Sequence, residues 1–521
     1  MDGYRANRAN LGSSWQFTLA HVSSRPRDDT SPGPHPSPVA ALRSESIPVA
    51  IADGREPAAA GGLVQCSRPP SLFRDIRVPT FGRGNALALA QGRASTDGMN
   101  RAAIPPAAHK APDPRSRIDL VDALRGSALL GILLIHSVEH WDFMRNPDHS
   151  APWLATPDAF VRDSAFFLFG GKAYGIFALL FGVSFFLILD SWSRRGLRFE
   201  GRFLWRLSVL ALFGYVHGLV YCGDILLIIA ALGVPLVFLN RLGTRALLWI
   251  SALLMLQIPS VYETVHVLLR PEYQPPRPLH WDLYGRLFGV YADGSLLDVL
   301  RVNLWTGQAA KTWWTIETAR WLQMIGLFVW GLLLGREGVF ENPIHAVRLA
   351  RRALIAGVVG FAVLYPVKLH LGGWGLSGMR HHAVENLVSS YCNLTQLLVW
   401  AGGFTLLYQW GKARGLLRLL APYGRMSLSC YVTQALIGVP LFYGFGLALF
   451  RFCGPFYSIL IGGLIGVVQI TAANLWLKRF NYGPLEWLWR ALTFMDFNVP
   501  MRRRAARSRM AEQEPQPVST T

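Results

Sequence analysis

Residues 117–141 read RIDLVDALRGSALLGILLIHSVEHW, and the fold class follows from where such a stretch can sit. From Leu120 to Val138 it is an apolar run close to the ~20 residues that cross a bilayer. Arg117 and Arg125 stand at its start, and His136, Glu139 and His140 at its end. In a helix rising ~1.5 Å per residue, Arg125 and His136 lie roughly 16 Å apart. One helix therefore carries cations towards one membrane face and ionisable groups towards the other. Ordinary anchoring accounts for both ends; an active site at the far end is the sharper reading.

The rest of the chain has the same character. Of 521 residues, 51% are hydrophobic and 16% charged, where a soluble domain carries about 25% charged residues. Eighteen Trp and 29 Phe suit membrane interiors and interfacial belts. The expected fold is all-α, a polytopic transmembrane helical bundle. A net charge of +19 would suggest nucleic acid in a soluble protein. Here Arg and Lys fall in short loops between apolar segments, so a lipid bilayer and no nucleic acid is the expected partner. Cys66, Cys222, Cys392, Cys430 and Cys453 are odd in number and hold no CxxC pair, so neither a disulfide framework nor a zinc site is indicated.

Residues 1–110 are rich in Pro, Ala, Ser, Gly and Arg, as in SPGPHPSPVA. Such a segment cannot bury enough apolar surface to offset its ordering entropy, so a disordered extension is expected. Met99 offers an internal start shortly before the first helix, which makes the extension a candidate for being untranslated. From Leu120 onward about ten spanning segments are expected: 120–138, 166–189, 203–221, 224–239, 246–264, 321–335, 350–369, 386–408, 427–449 and 456–477. Residues 115–264 thus hold the first five helices and 321–495 the last five with an interfacial helix. Between them, 265–320 reads as a long outer loop, a candidate lid or binding surface. A basic tail over 496–521 reads as disordered. Arg194, Arg195, Arg198 and Arg202, then Arg241 and Arg245, then Arg348, Arg351 and Arg352, occupy alternate loops. The positive-inside rule then puts both termini in the cytoplasm.

Five stretches stand together in order: RIDLVDALRGSALLGILL (117–134), GGKAYGIFALLFGVSFFL (170–187), WRLSVLALFGYVHGLVYCGDILLIIAALG (205–233), GRMSLSCYVTQALIG (424–438) and YGPLEWLWRALTF (482–494). As a set they resemble the YeiB-like family of bacterial inner-membrane proteins, whose C-terminal half is called domain of unknown function 418. The resemblance implies a multi-pass protein of the bacterial inner (plasma) membrane. The first stretch also looks like the first helix of a wider group of membrane acyltransferases. These include the type 3 acyltransferases, which modify envelope glycans, and heparan-glucosaminide N-acetyltransferase. In the type 3 enzymes a His thought to be catalytic ends the apolar run, and by spacing from the RG pair it matches His136. YeiB-like proteins more often carry Asn there, so this chain departs towards the enzyme pattern. The implied acyl donor is acetyl-CoA and the implied acceptor an envelope glycan or amine.

His136 heads the chemical candidates, because a neutral imidazole can take the proton of an attacking hydroxyl or amine. The bland alternative is a packing histidine near a helix end. His217 and Asp224 flank a turn at Cys222-Gly223, so Asp224 can orient an imidazole, either its neighbour or His136, and select its tautomer. A polar clasp between two helices is the competing reading. Glu139, His140 and His149 continue the outer cluster as substrate-binding candidates, against solvated loop charge. Lys172 in GGK can hold an anionic group, or snorkel to the interface. Arg117 and Arg125 can meet the phosphates of acyl-CoA, against plain anchoring. Glu385 and Asn386 make one late helix unusually polar and can line a cavity, against interhelical hydrogen bonding. His381 and His382 diverge on a helix, so no metal is expected, and no Walker A, HExxH or GxSxG pattern occurs. The leading expectation is transmembrane acyl transfer with His136 or His217 as general base. The alternative is a transporter or exporter of a small molecule without covalent chemistry.

Overall fold

The computed structural model describes residues 119–147, 151–196 and 199–502. Among them are eighteen α-helices and no strand beyond one isolated bridge between Phe480 and Arg502. In order they are α1 (Asp119–Val138), α2 (Ala155–Leu168), α3 (Ala173–Ser193), α4 (Glu200–Val220), α5 (Leu226–Leu239), α6 (Thr244–Met255) and α7 (Ile258–Leu269). Then come α8 (Leu279–Asp293), α9 (Leu296–Val302), a π-helical turn (Asn303–Gly307), α10 (Gln308–Glu317), α11 (Arg320–Arg336), α12 (Pro343–His370) and α13 (Gly378–Gln409). The chain ends through α14 (Gly411–Leu417), α15 (Leu420–Arg425), α16 (Ser427–Phe442), α17 (Pro455–Arg479) and α18 (Pro484–Phe494). The extension before residue 119, with Arg117, lies outside the described residues, as do His149 and the tail after residue 502.

Among the described residues six stretches are long and apolar enough to cross a membrane: Asp119–Val138, Pro152–Ser193, Glu200–Val220, Thr244–Leu269, Pro343–Trp374 and Pro455–Arg479. The broken pair Leu296–Glu317 and Arg320–Arg336, bent by 74°, makes a seventh. The protein is an integral membrane protein, all-helical over its described residues. Each of the ten expected segments falls on helix, but length and composition support six or seven crossings. Two of the others, Leu226–Leu239 and Ser427–Phe442, are apolar yet shorter than a bilayer requires. The segment expected over 386–408 belongs to α13, whose first turns carry Arg380, His381, His382, Glu385 and Asn386.

The largest correction concerns 265–320, expected as a loop. Its prolines are confined to 271–278, and from Leu279 the chain is helical through α8, α9 and α10. Ser295 and Asp298 form a reciprocal capping box that starts α9. Leu287, Tyr291 and Val299 are fully buried. They pack with Phe143, Phe442 and Tyr443 in one cluster, so the stretch has its own core.

The helix α1 sits at the centre. Of its apolar window 78% is buried, against 11% for the window of α12. Gly126 lies against the Leu420 carbonyl and Gly424 against the Asp122 carbonyl, so α1 and α15 touch backbone to backbone. Gly182 and Gly331 do the same for α3 and α11. Lipid tails are as apolar as leucine, so close approach through small residues is how such helices gain packing energy. The amphipathic α18 is pinned from both sides: Trp489 donates to the Arg206 carbonyl at 2.9 Å, and Glu486 accepts from Leu428 N–H at 2.7 Å.

Candidate functional site

The site begins where α1 stops. His140, Trp141 and Asp142 follow one another in the left-handed region (φ 51°, 55° and 63°), with Met144 close behind at 54°. Each such non-glycine residue costs roughly 1–2 kcal/mol, so the surroundings must hold the turn. They do so on every side. Trp141 N–H donates to the His136 carbonyl (2.7 Å) and Met144 N–H to that of Glu139 (2.8 Å). The Tyr443 hydroxyl donates to the Trp141 carbonyl at 2.8 Å. Trp141 is 1% exposed and lies against Phe442. His140 Nδ1 meets the Arg145 carbonyl (2.7 Å) and its Nε2 the Ser458 hydroxyl (2.8 Å). The turn folds Asp142 back onto α1, so that one ligand atom each of His136, Glu139 and Asp142 lie within 4.8 Å of one another.

The second part comes from the turn joining α4 to α5. Tyr221 caps α4 and is 1% exposed. Its hydroxyl lies 2.9 Å from His136 Nδ1 and 3.2 Å from Nε2. A Cβ at Gly223 would overlap the Asp142 carboxylate and the Tyr221 hydroxyl, so only glycine lets this turn come so close. Asp224 then pairs with His217 Nδ1 at 2.8 Å, both side chains fully enclosed. The other Asp224 oxygen accepts from Leu227 N–H at 3.1 Å and faces Lys311 Nζ at 3.8 Å. His217 Nε2 and Lys311 Nζ are buried without a hydrogen-bond partner.

These groups surround a cavity of about 120 Å³. Its charged walls are His136, Glu139, Asp142, Asp224, Lys311 and Arg320, and aromatic rings such as Tyr284, Trp314 and Tyr431 line it as well. Arg320 donates to the Tyr174 hydroxyl at 2.6 Å and lies over the Trp314 ring. In the turn outside α1, burial pushes the Glu139 carboxyl up to about 8. Burial also raises Asp142, to about 6, with the Glu139 charge adding to the effect. The arrangement offers an oriented imidazole, carboxyl groups poised to exchange protons near neutrality, and a buried ammonium for developing negative charge.

The expected residues divide sharply. His136, Glu139 and Asp224 line the cavity, and His217 stands behind Asp224. His140 is turned to Ser458 and braces the left-handed turn. Lys172 is 4% exposed, donates to the Phe166 carbonyl at 2.9 Å and does not line the cavity. Glu385 lies 3.7 Å from His381, and neither it nor Asn386 lines the cavity. Arg125 holds Asp122 at 2.9 Å and Ser184 at 2.8 Å, a clasp at the opposite end of α1. Reading by position missed Asp142, Tyr221, Lys311 and Arg320. The signal for Tyr221 was its place one helical turn after His217. Lys311 lay hidden in the stretch taken for a loop.

Residues 334–496 match a family described as a protein of unknown function, DUF418. The chain is similar to the uncharacterized protein YxaH of Bacillus subtilis, 25% identical over 407 residues, covering 73% of this chain and 95% of that protein. An uncharacterized 39.9 kDa protein encoded 3′ of an amylase in Bacillus acidopullulyticus is 28% identical over 401 residues, with 73% and 94% covered. The uncharacterized protein YeiB of Escherichia coli is 26% identical over 392 residues, with 72% and 95% covered. No solved structure matches the chain.

Proposed function

We propose that this chain, which belongs to the YeiB-like family carrying the DUF418 region, is an acyltransferase of the bacterial inner membrane. It would move an acetyl group from cytoplasmic acetyl-CoA to a hydroxyl or amine of an envelope glycan at the cavity end of α1. The observation that carries this reading is the His217–Asp224 pair. With Nδ1–H donated to Asp224 at 2.8 Å, the imidazole is held in the tautomer whose Nε2 accepts a proton, and Nε2 is bare. That is the base-and-orienter logic of acyl transfer. His136 also suits a base by its place on the cavity wall, but Tyr221 and Glu139 already engage its ring.

In this reading Nε2 of His217 takes the acceptor proton as the acceptor oxygen or nitrogen bonds to the thioester carbonyl carbon. Lys311 stabilises the oxyanion so formed. The C–S bond then breaks, and His217 returns its proton to the departing thiolate. Arg125, committed to Asp122 and Ser184, anchors α1 rather than binding the donor's phosphates. The test uses purified protein in nanodiscs with acetyl-CoA and a panel of amino and hydroxyl sugars, following thiol release. Acceptor-dependent release that His217→Ala lowers by about 10²–10⁴ is expected; no release above a protein-free blank with any acceptor would sink the reading.

One observation favours transport instead. The helices α10 and α11 are bent by 74° at Thr318–Ala319, and Lys311 and Arg320 flank the break on the cavity wall. Broken helices at a polar cavity are how many transporters build a substrate site. Substrate flux into proteoliposomes lacking any acyl donor would establish that function.

A further inference from the structure

The cavity has a second chemical centre, which the reaction above does not use. His136, Glu139 and Asp142 present an imidazole nitrogen and two carboxylate oxygens within 4.8 Å of one another. Ligands at about 2.0–2.2 Å from one ion stand roughly 3–4 Å apart, a spacing that small rotations of the two carboxylates close. Glu139 is 9% exposed. Among the described residues no Lys or Arg forms an ion pair with Glu139 or Asp142; the only partner of that kind is His136, at 3.4 Å from Glu139. Two enclosed carboxylates side by side need either protons or a cation.

Three features outside the trio point the same way. The Tyr221 hydroxyl lies 3.2 Å from His136 Nε2 as well as 2.9 Å from Nδ1, so it fixes the ring whose Nδ1 faces Glu139 at 3.4 Å. The missing Cβ of Gly223 leaves the Asp142 carboxylate its place. Most telling is Lys311. It is 2% exposed, lines the same cavity, and its ammonium makes no hydrogen bond. Asp224 Oδ2, its counter-charge, stands at 3.8 Å, beyond hydrogen-bond range, so the donors of the ammonium are free for an oxygen ligand inside that cavity.

We propose that His136, Glu139 and Asp142 bind one divalent transition-metal ion whose open position faces the cavity, where an oxygen ligand is shared with Lys311. One nitrogen and two carboxylate oxygens suit Zn²⁺ or Mn²⁺, and three protein ligands with an open fourth position are the pattern of a catalytic zinc site. The ligand is a carbonyl, carboxylate or water oxygen, and the ion acts on it as a Lewis acid. The site goes beyond the acyl-transfer reading and does not depend on it.

The test uses the full chain, purified in detergent without an affinity tag and stripped with EDTA. It is incubated with Zn²⁺, desalted and assayed for bound metal by mass spectrometry. About one Zn²⁺ per chain is expected. Co²⁺ in its place should give visible d–d bands that Zn²⁺ abolishes, a readout needing no variant. E139Q and D142N should each weaken binding by about tenfold or more, because an amide is a poorer ligand than a carboxylate. H217A should keep the full equivalent of Zn²⁺, so failure of the metal site and failure of the acyl-transfer reading are separable. Absence of retained Zn²⁺ and of a Co²⁺ spectrum in the unmutated chain would overturn the proposal. So would equal Zn²⁺ affinity in an E139Q/D142N double variant that remains monodisperse.

Discussion

Among the described residues two histidine–carboxylate pairs stand closer than 3 Å, and they differ in an instructive way. His217 meets Asp224 at 2.8 Å, and His280 meets Glu317 at 2.6 Å. Both carboxylates also cap a helix: Asp224 accepts from Leu227 N–H in α5, and Glu317 from Leu279 and His280 N–H in α8. Distance and capping therefore do not separate them. The difference lies in what surrounds each pair. His217 Nε2 has no hydrogen-bond partner, and Asp224, on the cavity wall, also stands 3.8 Å from the Lys311 ammonium. Glu317 spends both oxygens tying α10 to α8 and does not line the cavity, whereas Asp224 does. A short imidazole–carboxylate contact is thus a positioning device in both places. It becomes a candidate for chemistry where the carboxylate lines a cavity and the second nitrogen is left without a partner.

The sharpest way to break that contrast is to remove each imidazole. His217→Asn should lower acetyl transfer by about 10²–10⁴, whereas His280→Asn should change it less than about threefold. Equal losses in the thiol-release assay would erase the distinction. Next come the carboxylates. Asp224→Asn leaves Lys311 enclosed without its counter-charge, a defect that costs about 3–5 kcal/mol. Glu317→Gln keeps a capping oxygen and should cost about 1 kcal/mol. Thermal unfolding in detergent should rank them in that order. Gly223→Ala sharpens the comparison from the backbone: a Cβ there overlaps Asp142 and Tyr221, and overpacking costs about 1–3 kcal/mol. It should disturb the cavity and leave the His280 pair untouched.

The smallest expected effect is on pH. Burial lowers His280 from its ordinary value of 6.5, outweighing the pull of Glu317. A group whose folded value is depressed contributes stability above the unfolded value and loses it as pH falls through the folded one. His280 should therefore add stability above about pH 6.5 that disappears on acidification. The unfolding temperature of the unmutated chain minus that of His280→Asn should be larger at pH 7.5 than at pH 5. A pH-independent difference would show that the imidazole is not held neutral.

Much of the frame was legible in the chain. The apolar run of α1 ending in His136 locates one wall of the cavity. The short connection between α4 and α5, with its turn at Cys222-Gly223, places Asp224 opposite His217, and of the two imidazoles open to it, Asp224 took its neighbour. Asp142 was not legible, since nothing in HWD announces three left-handed residues in a row; glycine, the usual marker, is absent. Lys311 was not legible either, because proline and tryptophan near 271–281 read as loop while the helix began just afterwards. Lys172 was a candidate for holding an anionic group, yet its ammonium donates to the Phe166 carbonyl. The crossing count moved because apolar length and membrane length differ: α5 has only 14 residues, about 21 Å of helix.

The turn over His140–Asp142 has a consequence for how this protein can vary. Connections between helices are ordinarily where chains tolerate inserted or deleted residues. This one is enclosed: Trp141 is 1% and His140 0% exposed, and its carbonyls and rings are claimed by Tyr443 and Ser458. Adding one residue would swing Asp142 away from α1, and removing one would pull Trp141 out of its seat. Between Glu139 and Met144, then, length should be as unforgiving as side-chain volume is in a core. Substitutions that keep the count should be accepted there more readily than any change in it.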